Sequence, residues 1–507
     1  MFQNALSIIG DEEGYARCWT GEPFRRPIPF VSTDDKPKRL AEIFRRNIKP
    51  ILKRIMRDFA PVVQPINRIS KLGWPVNRNP PTKDELNANP TAAQKIDYVQ
   101  HFFREIHSGN LNSFAGACTL LSGRLQYEPP GKKREYLFIK SDGQIYTDEF
   151  NASDRVIDVP DLGERIGSRY RLVFNPPITN LYCQCFDSAL HRCIMRHALC
   201  FANMYTGQAW SSETHWHSFD CSHYERVLGT LAPIYASAVG GLYEQLVTWM
   251  IGLPLIVQSD DRKKVFKITP RFREGVYPQF GSGLCCVATL GKLAGISAET
   301  EYFERTLGIS TEDAIEVTLS GQGLGMTRMM YGDDNCVAGP TDQVENYFSF
   351  LETVFDISRD EHPTYLGFAW NKQVGRFQLG ADKYVLKMYL RERSFDWTDY
   401  PYFAWVERRK IFAKHGHPDI IEKVIPQEDA DLLAFDLPWA QVVHKAAEEA
   451  AYIRERGDAL SKQLTDKEYL LSPEEYISLG LAWGIPVSET TQIIDNLISP
   501  ETRKYYS

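Results

Sequence analysis

Fourteen residues constrain this chain more than any others: Met326–Gly339, MTRMMYGDDNCVAG. β-compatible residues run up to Tyr331, Gly332-Asp333-Asp334 supplies a tight turn, and Cys336-Val337-Ala338 resumes the strand pattern. The pattern predicts a β-hairpin with two adjacent carboxylates at its tip. Such neighbours repel unless water or a cation screens them, and their hard oxygens suit Mg²⁺ or Mn²⁺. An Asp-Asp turn simply exposed to water is the ordinary alternative, so the tripeptide needs company.

That company is offered by His217–Glu225, HSFDCSHYE. Apolar Phe219 precedes Asp220, and a helical pattern begins at Tyr224–Leu231. This places Asp220 at the end of a short strand, where its carboxylate can face the hairpin tip. Three carboxylates so gathered match the needs of two-metal phosphoryl transfer. One ion there activates the attacking 3′-hydroxyl and the other holds the triphosphate. Cys221, beside Asp220, has no paired base in the sequence and reads as a packing residue.

Further stretches carry chemistry of their own. Glu164–Phe174, ERIGSRYRLVF, puts Arg169 and Arg171 at alternate strand positions on one side, with Arg165 ahead of them. Guanidinium groups suit phosphate geometry, and an ordinary surface strand is the bland reading. Gln279–Gly295, QFGSGLCCVATLGKLAG, joins a glycine-rich loop containing Ser282 and Gly283 to an apolar helix. Leu366–Arg376 holds Lys372, and Val385–Ser394 holds Arg391 and Arg393.

In this order the motifs resemble those of viral RNA-dependent RNA polymerases: Asp220 with an acid five positions on, the Gly-Ser-Gly stretch, then Tyr-Gly-Asp-Asp. Asp220 and Ser282 are 62 positions apart, and Ser282 and Asp333 are 51 apart. The likeness covers roughly residues 160–400 and is nearest to picobirnavirus and partitivirus enzymes of double-stranded RNA viruses. It implies an α+β fold, a closed right hand with fingers, a palm built on an antiparallel sheet and a helical thumb. The boundaries expected are 1–60 for an N-terminal segment bridging fingers and thumb, 61–212 for fingers, 213–390 for the palm with a fingers insertion, and 391–507 for the thumb and tail.

The resemblance also implies roles. Asp220, Asp333 and Asp334 are metal ligands for two Mg²⁺ ions, with Mn²⁺ as a substitute. Arg165, Arg169 and Arg171 bind the incoming triphosphate, Lys372 protonates pyrophosphate, and Arg391 and Arg393 touch the product strand. The family's usual threonine and asparagine after the glycine-rich loop are missing; Cys285, Val287 and Thr289 occupy that neighbourhood. Glu225 stands where the family has a second aspartate, so Glu225 with Ser282 is expected to read the ribose, and Gly283 to bind the nucleotide. Implied partners are RNA template and product, ribonucleoside triphosphates and a viral capsid protein, in the host cytoplasm and inside the virion. The aromatic pair in the tail ETRKYYS suits stacking on an initiating nucleotide.

Two other classes remain. A reverse transcriptase shares the Tyr-x-Asp-Asp turn, and Pro278-Gln279 before the loop is of that kind, but its aromatic steric gate is replaced by the acid Glu225. A nucleic-acid-binding scaffold without activity would carry the Asp-Asp turn by chance.

Bulk properties set the frame. The 507 residues suffice for several subdomains around a large core, and hydrophobic (43%) and charged (24%) fractions are those of a globular protein. A net charge of −7 gives no hint of nucleic acid, so a polymerase of this composition must concentrate its basic residues locally. One such place is Lys36–Arg57, where nine basic residues face a single acid and apolar residues recur at helical spacing, with Pro50 as a kink or break. Its basic face suits a phosphate backbone, a membrane surface or plain solvation.

The opening MFQNALSIIGDEEGYARCW lacks a basic n-region and does not read as a signal peptide. The most apolar window, Leu246–Val257, is too short to span a bilayer and is broken by Gly252 and Pro254. The ten cysteines are irregularly spaced and read as reduced thiols. Those at 183, 185, 193 and 200 match no common zinc spacing. Helices are expected over Phe186–Tyr205 and Arg226–Met250, and a small hairpin around Ser141-Asp142-Gly143.

Overall fold

The structure, a computed structural model, describes residues 35–58, 108, 117–128, 137–139, 145–147, 156–157, 167–177, 179–200, 215–222, 224–251, 253, 255–258, 265–268, 286–371, 376–379 and 499–503. Its centre is an antiparallel sheet of five strands, β6 (Trp216–Ser222), β9 (Gln322–Gly323), β10 (Met326–Tyr331), β11 (Asp334–Ala338) and β12 (Asp356–Arg359), in the order β12-β6-β11-β10-β9. Ahead of these in the chain come β1 (Thr119–Glu128), β2 (Leu137–Ile139), β3 (Ile145–Thr147), β4 (Val156–Ile157) and β5 (Gly167–Asn175). With β7 (Leu255–Gln258) and β8 (Val265–Ile268), β1 and β5 form a second sheet, ordered β5-β1-β7-β8. The expected hairpin near residue 142 is present, with β2 and β3 paired antiparallel.

Strand period explains how the central sheet is covered on both faces. Along β6, Phe219 and Cys221 point to one side, while Trp216, Ser218 and Asp220 point to the other. Phe219 meets Phe348 edge-on at 5.2 Å, on helix α7 (Thr341–Leu351). Trp216 meets Phe377 at 5.6 Å and Trp370 at 6.2 Å, on a small sheet of β13 (Thr364–Tyr365), β14 (Phe368–Asn371) and β15 (Arg376–Leu379). Ser218 fastens that layer: its hydroxyl donates to Asp360 Oδ2 at 2.7 Å and accepts the Thr364 N–H at 2.9 Å.

The helical layer consists of α1 (Asp35–Ile55), α2 (Asn180–Met195), α3 (Tyr224–Val239), α4 (Gly241–Ile251), α5 (Cys286–Leu307), α6 (Thr311–Leu319) and α7. A last short helix, α8, spans Pro500–Arg503. Helix α5 touches α1, α2, α3, α6, α7 and β10, and residues 289–303 are buried without interruption. It comes close to the sheet at Gly295, where an added Cβ would strike the Met330 thioether, and at Gly291, where a Cβ would lie 3.6 Å from Gly332 Cα. One buried polar cluster ties this layer to the sheet. Glu299 on α5 takes an ion pair from Arg328 of β10 and a 2.6 Å hydrogen bond from the Tyr347 hydroxyl. The other end of the Arg328 guanidinium donates to Val317 O at 3.1 Å.

Two helix expectations need correction, and of the kink or break expected at Pro50 the break is absent. Helix α1 runs through Pro50 without a break, because Ile48, Ile51, Leu52 and Ile55 on both sides of it are buried and hold the helix against the core. Helix α2 begins at Asn180 and ends at Met195, one turn and a half earlier than expected at its start; buried Cys183 extends the stripe of Phe186, Leu190 and Cys193 backwards. The run 226–250 is two helices, parted at Gly240 and Gly241, both with positive φ (72° and 63°). Among the described residues no helix is long and apolar enough to cross a membrane.

Removing one member of a buried ion pair strands the other, at a cost of about 3–5 kcal/mol. Glu299→Ala should therefore lower stability by about that amount in chemical denaturation. Glu345→Ala, which removes an exposed partner of Arg359, should change it by less than about 1 kcal/mol.

Candidate active site

The β10–β11 hairpin closes with two loop residues, Gly332 and Asp333, between the paired Tyr331 and Asp334. Gly332 has φ +73° while Asp333 keeps a negative φ, the pattern of a type II′ turn, which asks for glycine at its first central position. Asn335, buried just below, donates from Nδ2 to Asp333 O at 2.8 Å and to Gly332 O at 3.4 Å, tying the turn to its own strand. Register then does the rest. Asp334 pairs with Asp220 across β11 and β6, so the two carboxylates leave the sheet on the same face, and Ser358 of β12 flanks Asp220 on the far side. Asp220, Asp333 and Asp334 are all exposed at this end of the sheet.

The surroundings feel their charge. The Cys221 thiol is pushed well above its usual range, first by burial and then by Asp220, Asp333 and Asp356. It is a protonated packing group, as its sequence context suggests. The Tyr224 phenol is raised as well, by burial and then by Cys221 and Asp333, and its hydroxyl donates to Gly291 O, tying the start of α3 to α5.

Sequence reasoning missed Lys292. It is 1% exposed on α5, and its ammonium sits 3.7 Å from the centre of the Tyr331 ring, the residue before the turn. Burial lowers it to about 8, while Cys200 and Asp333 pull the other way. A single lysine inside the apolar run Cys286–Ala298 was the available signal, since long charged side chains are rarely buried whole.

Other expected site residues fall elsewhere. Arg169 and Arg171 occupy alternate positions on β5, opposite Gln126 and Arg124 of β1, in a different sheet from the aspartates. Glu225 lies in the first turn of α3, five residues after Asp220. Arg165, Ser282, Gly283, Lys372, Arg391, Arg393 and the tail tyrosines lie outside the described residues. Cys183, Cys193 and Cys200 are buried and outside any disulfide.

In donor type and backbone placement the three aspartates fit hard divalent cations, because like charges opposed across a strand pair are destabilising until a cation lies between them. Among the described residues no three acidic, histidine or cysteine side chains already converge on one point.

The chain has the fold of a viral RNA-dependent RNA polymerase. It is similar to the RNA-dependent RNA polymerase from bacteriophage phi12 at 14% identity and a TM-score of 0.51, over 91% of this chain and 76% of that one. It is also similar to the RNA-dependent RNA polymerase of a human picobirnavirus at 12% identity and a TM-score of 0.37, over 93% and 94% of the two chains. No protein-family model and no curated protein sequence matches it.

A pH experiment tests the environment of Lys292. Its folded value, about 8, lies below the 10.5 of an unfolded lysine. Below pH 8 both states are charged and the burial penalty is complete. Between pH 8 and 10.5 the folded state sheds its proton first, so the penalty fades and stability rises. Lys292→Met should be more stable than wild type at pH 7, by up to about 3 kcal/mol, with the gap closing towards pH 10.5 in denaturant titrations.

Proposed function

We propose that this chain is an RNA-dependent RNA polymerase that copies a viral RNA genome by template-directed nucleotidyl transfer. The observation that carries the reading is the pairing of Asp334 with Asp220, with Asp333 in the adjoining turn. In this reading the central sheet with α3 and α5 belongs to the palm (213–390), residues 61–212 are fingers, 391–507 the thumb, and 1–60 bridges fingers and thumb.

Asp220 and Asp333 hold the divalent ions, with Asp334 as a weaker ligand or orienting group. When bound, two Mg²⁺ or Mn²⁺ ions supply activation of a 3′-hydroxyl and neutralisation of triphosphate charge. Arg165, Arg169 and Arg171 grip the triphosphate through planar guanidinium forks. Glu225, with Ser282, accepts the ribose 2′-hydroxyl, which a deoxyribonucleotide lacks, and Gly283 lines the nucleotide site. Lys372 delivers a proton to departing pyrophosphate, and Arg391 and Arg393 steady the product strand. The buried Lys292 sits behind Tyr331 and holds positive charge on the protein side of the aspartates. A viral protein of this kind works in the host cytoplasm and within the particle, beside capsid protein.

Labelled ribonucleotide incorporation on a single-stranded RNA template, with deoxyribonucleotides in parallel, tests this. Wild type should add ribonucleotides only with Mg²⁺ or Mn²⁺, and Asp220→Ala and Asp333→Ala should fall to background. Equal activity of Asp333→Ala and wild type would remove Asp333 from the mechanism, and preference for deoxyribonucleotides would favour a reverse transcriptase. Loss of one hydrogen bond to the sugar is worth about 1–3 kcal/mol, so Glu225→Ala should lower the ribo-to-deoxyribonucleotide ratio by roughly 10–100-fold. An unchanged ratio would refute the assignment of Glu225.

A further inference from the structure

Helix α1 has two faces with opposite fates. Leu40, Phe44, Ile48, Ile51, Leu52 and Ile55 are buried against α3, α5 and α6. On the other side Lys38, Glu42, Arg45, Lys49, Lys53 and then Arg57 are exposed, at successive steps of three or four residues, so they form one outward stripe. A separate set of basic residues fixes the helix in place. Lys36 pairs with Asp356 at 2.8 Å, Arg46 with Glu301 and Glu304, and Arg54 with Glu316. Among the described residues, no hydrogen bond or ion pair engages Lys38, Arg45, Lys49, Lys53 or Arg57.

We propose that this stripe is a second RNA-binding surface, a track that holds single-stranded RNA outside the active site. Three observations favour it, and the choice of RNA as occupant rests on the polymerase reading above. The first is charge. Eight basic and two acidic residues give α1 a formal +6, so the remainder of a chain of net −7 carries −13. An isolated cationic strip on an acidic protein draws a polyanion to that strip. The second is spacing. Steps of three or four residues are about 4.5–6 Å along a helix axis. A stacked strand carries one phosphate per about 3.4 Å of its axis, so each step of the stripe spans between one and two nucleotides.

The third is position. Lys36 meets Asp356 on β12, and Asp356 lies two residues from Ser358, the partner of Asp220. The amino end of α1 therefore adjoins the aspartate end of the sheet, and its 21 residues lead about 31 Å away from it. A strand threading the aspartate end can continue along the stripe. A membrane fits less well: a helix that lies in a lipid interface inserts its apolar face, and here that face is inside the protein.

The test is binding of a fluorescent single-stranded RNA of about 30 nucleotides by the full chain at several salt concentrations. Wild type is compared with Arg45→Ala/Lys49→Ala/Lys53→Ala, and thermal melts confirm that these exposed substitutions leave the fold intact. Each lost phosphate contact should reduce the slope of log affinity against log salt by about 0.7, so the triple variant should lose about two units of slope. Affinity should fall by tenfold or more at low salt, and Arg45→Lys, which keeps the charge, should not change either quantity. Unchanged slope and affinity in the triple variant would overturn the track, whatever the incorporation assay gives. Stripe-dependent binding to phosphatidylserine vesicles, with RNA binding unaffected, would overturn it in favour of a lipid surface. Binding needs no catalysis, so a wild type that binds through the stripe yet adds no nucleotide would sink the polymerase reading and leave the track standing.

Discussion

Two carboxylates face each other across adjacent strands, and much of the described structure serves to keep them there. Asp220 and Asp334 are direct partners in the β6–β11 pairing, a placement that antiparallel sheets penalise. The chain holds it with groups that do not depend on the carboxylates. Asn335 locks the turn from below, Phe219 anchors β6 on α7, and Trp216 and Ser218 anchor its other face on the small sheet. Repulsion at the tip is thus confined to exposed side chains, and the backbone beneath them is set by buried contacts.

Helix α5 is the second half of that support. Gly291 and Gly295 bring its backbone close to the hairpin: a Cβ at 295 would displace the Met330 thioether, and one at 291 would press on the Tyr224 ring. Three polar groups it carries inside the core are matched to a neighbour: Glu299 to Arg328 and Tyr347, Thr289 to Asp187 O, Lys292 to the ring of Tyr331. Asp187 in turn accepts from the hydroxyls of Tyr235 and Tyr243, which joins α2 to α3 and α4. Buried polar links of this kind demand one arrangement of the helices, because any other leaves a donor or acceptor unpaired.

The hairpin, the strand at Asp220 and the helix after the glycine-rich loop were legible in the sequence because each rests on a local rule: period two, a glycine that takes positive φ, an apolar helical run. What escaped depends on distant residues. Pro50 signals a break in isolation, yet buried isoleucines on either side keep α1 continuous. The start of α2 has little to announce it, since Thr179 makes no side-chain cap and the first turn holds no acidic residue. Gly240 lies against Ser499, 259 positions on, where a Cβ would come within 2.9 Å of the serine Cβ; nothing near Gly240 in the sequence reveals that neighbour. Lys292 was visible as an oddity, but its meaning came only with Tyr331 beside it.

The two-residue turn also bears on how such a chain can change over time. Side chains alternate faces with every residue, so one residue inserted into or deleted from β11 would turn Asp334 away from Asp220 and present its neighbour instead. Substitution is far freer, because most positions of the sheet ask only for an apolar group of suitable size on the covered face. Lineages of this architecture can therefore drift until little literal sequence is shared, while the spacing around the turn stays fixed. Length, more than spelling, is what this hairpin inherits.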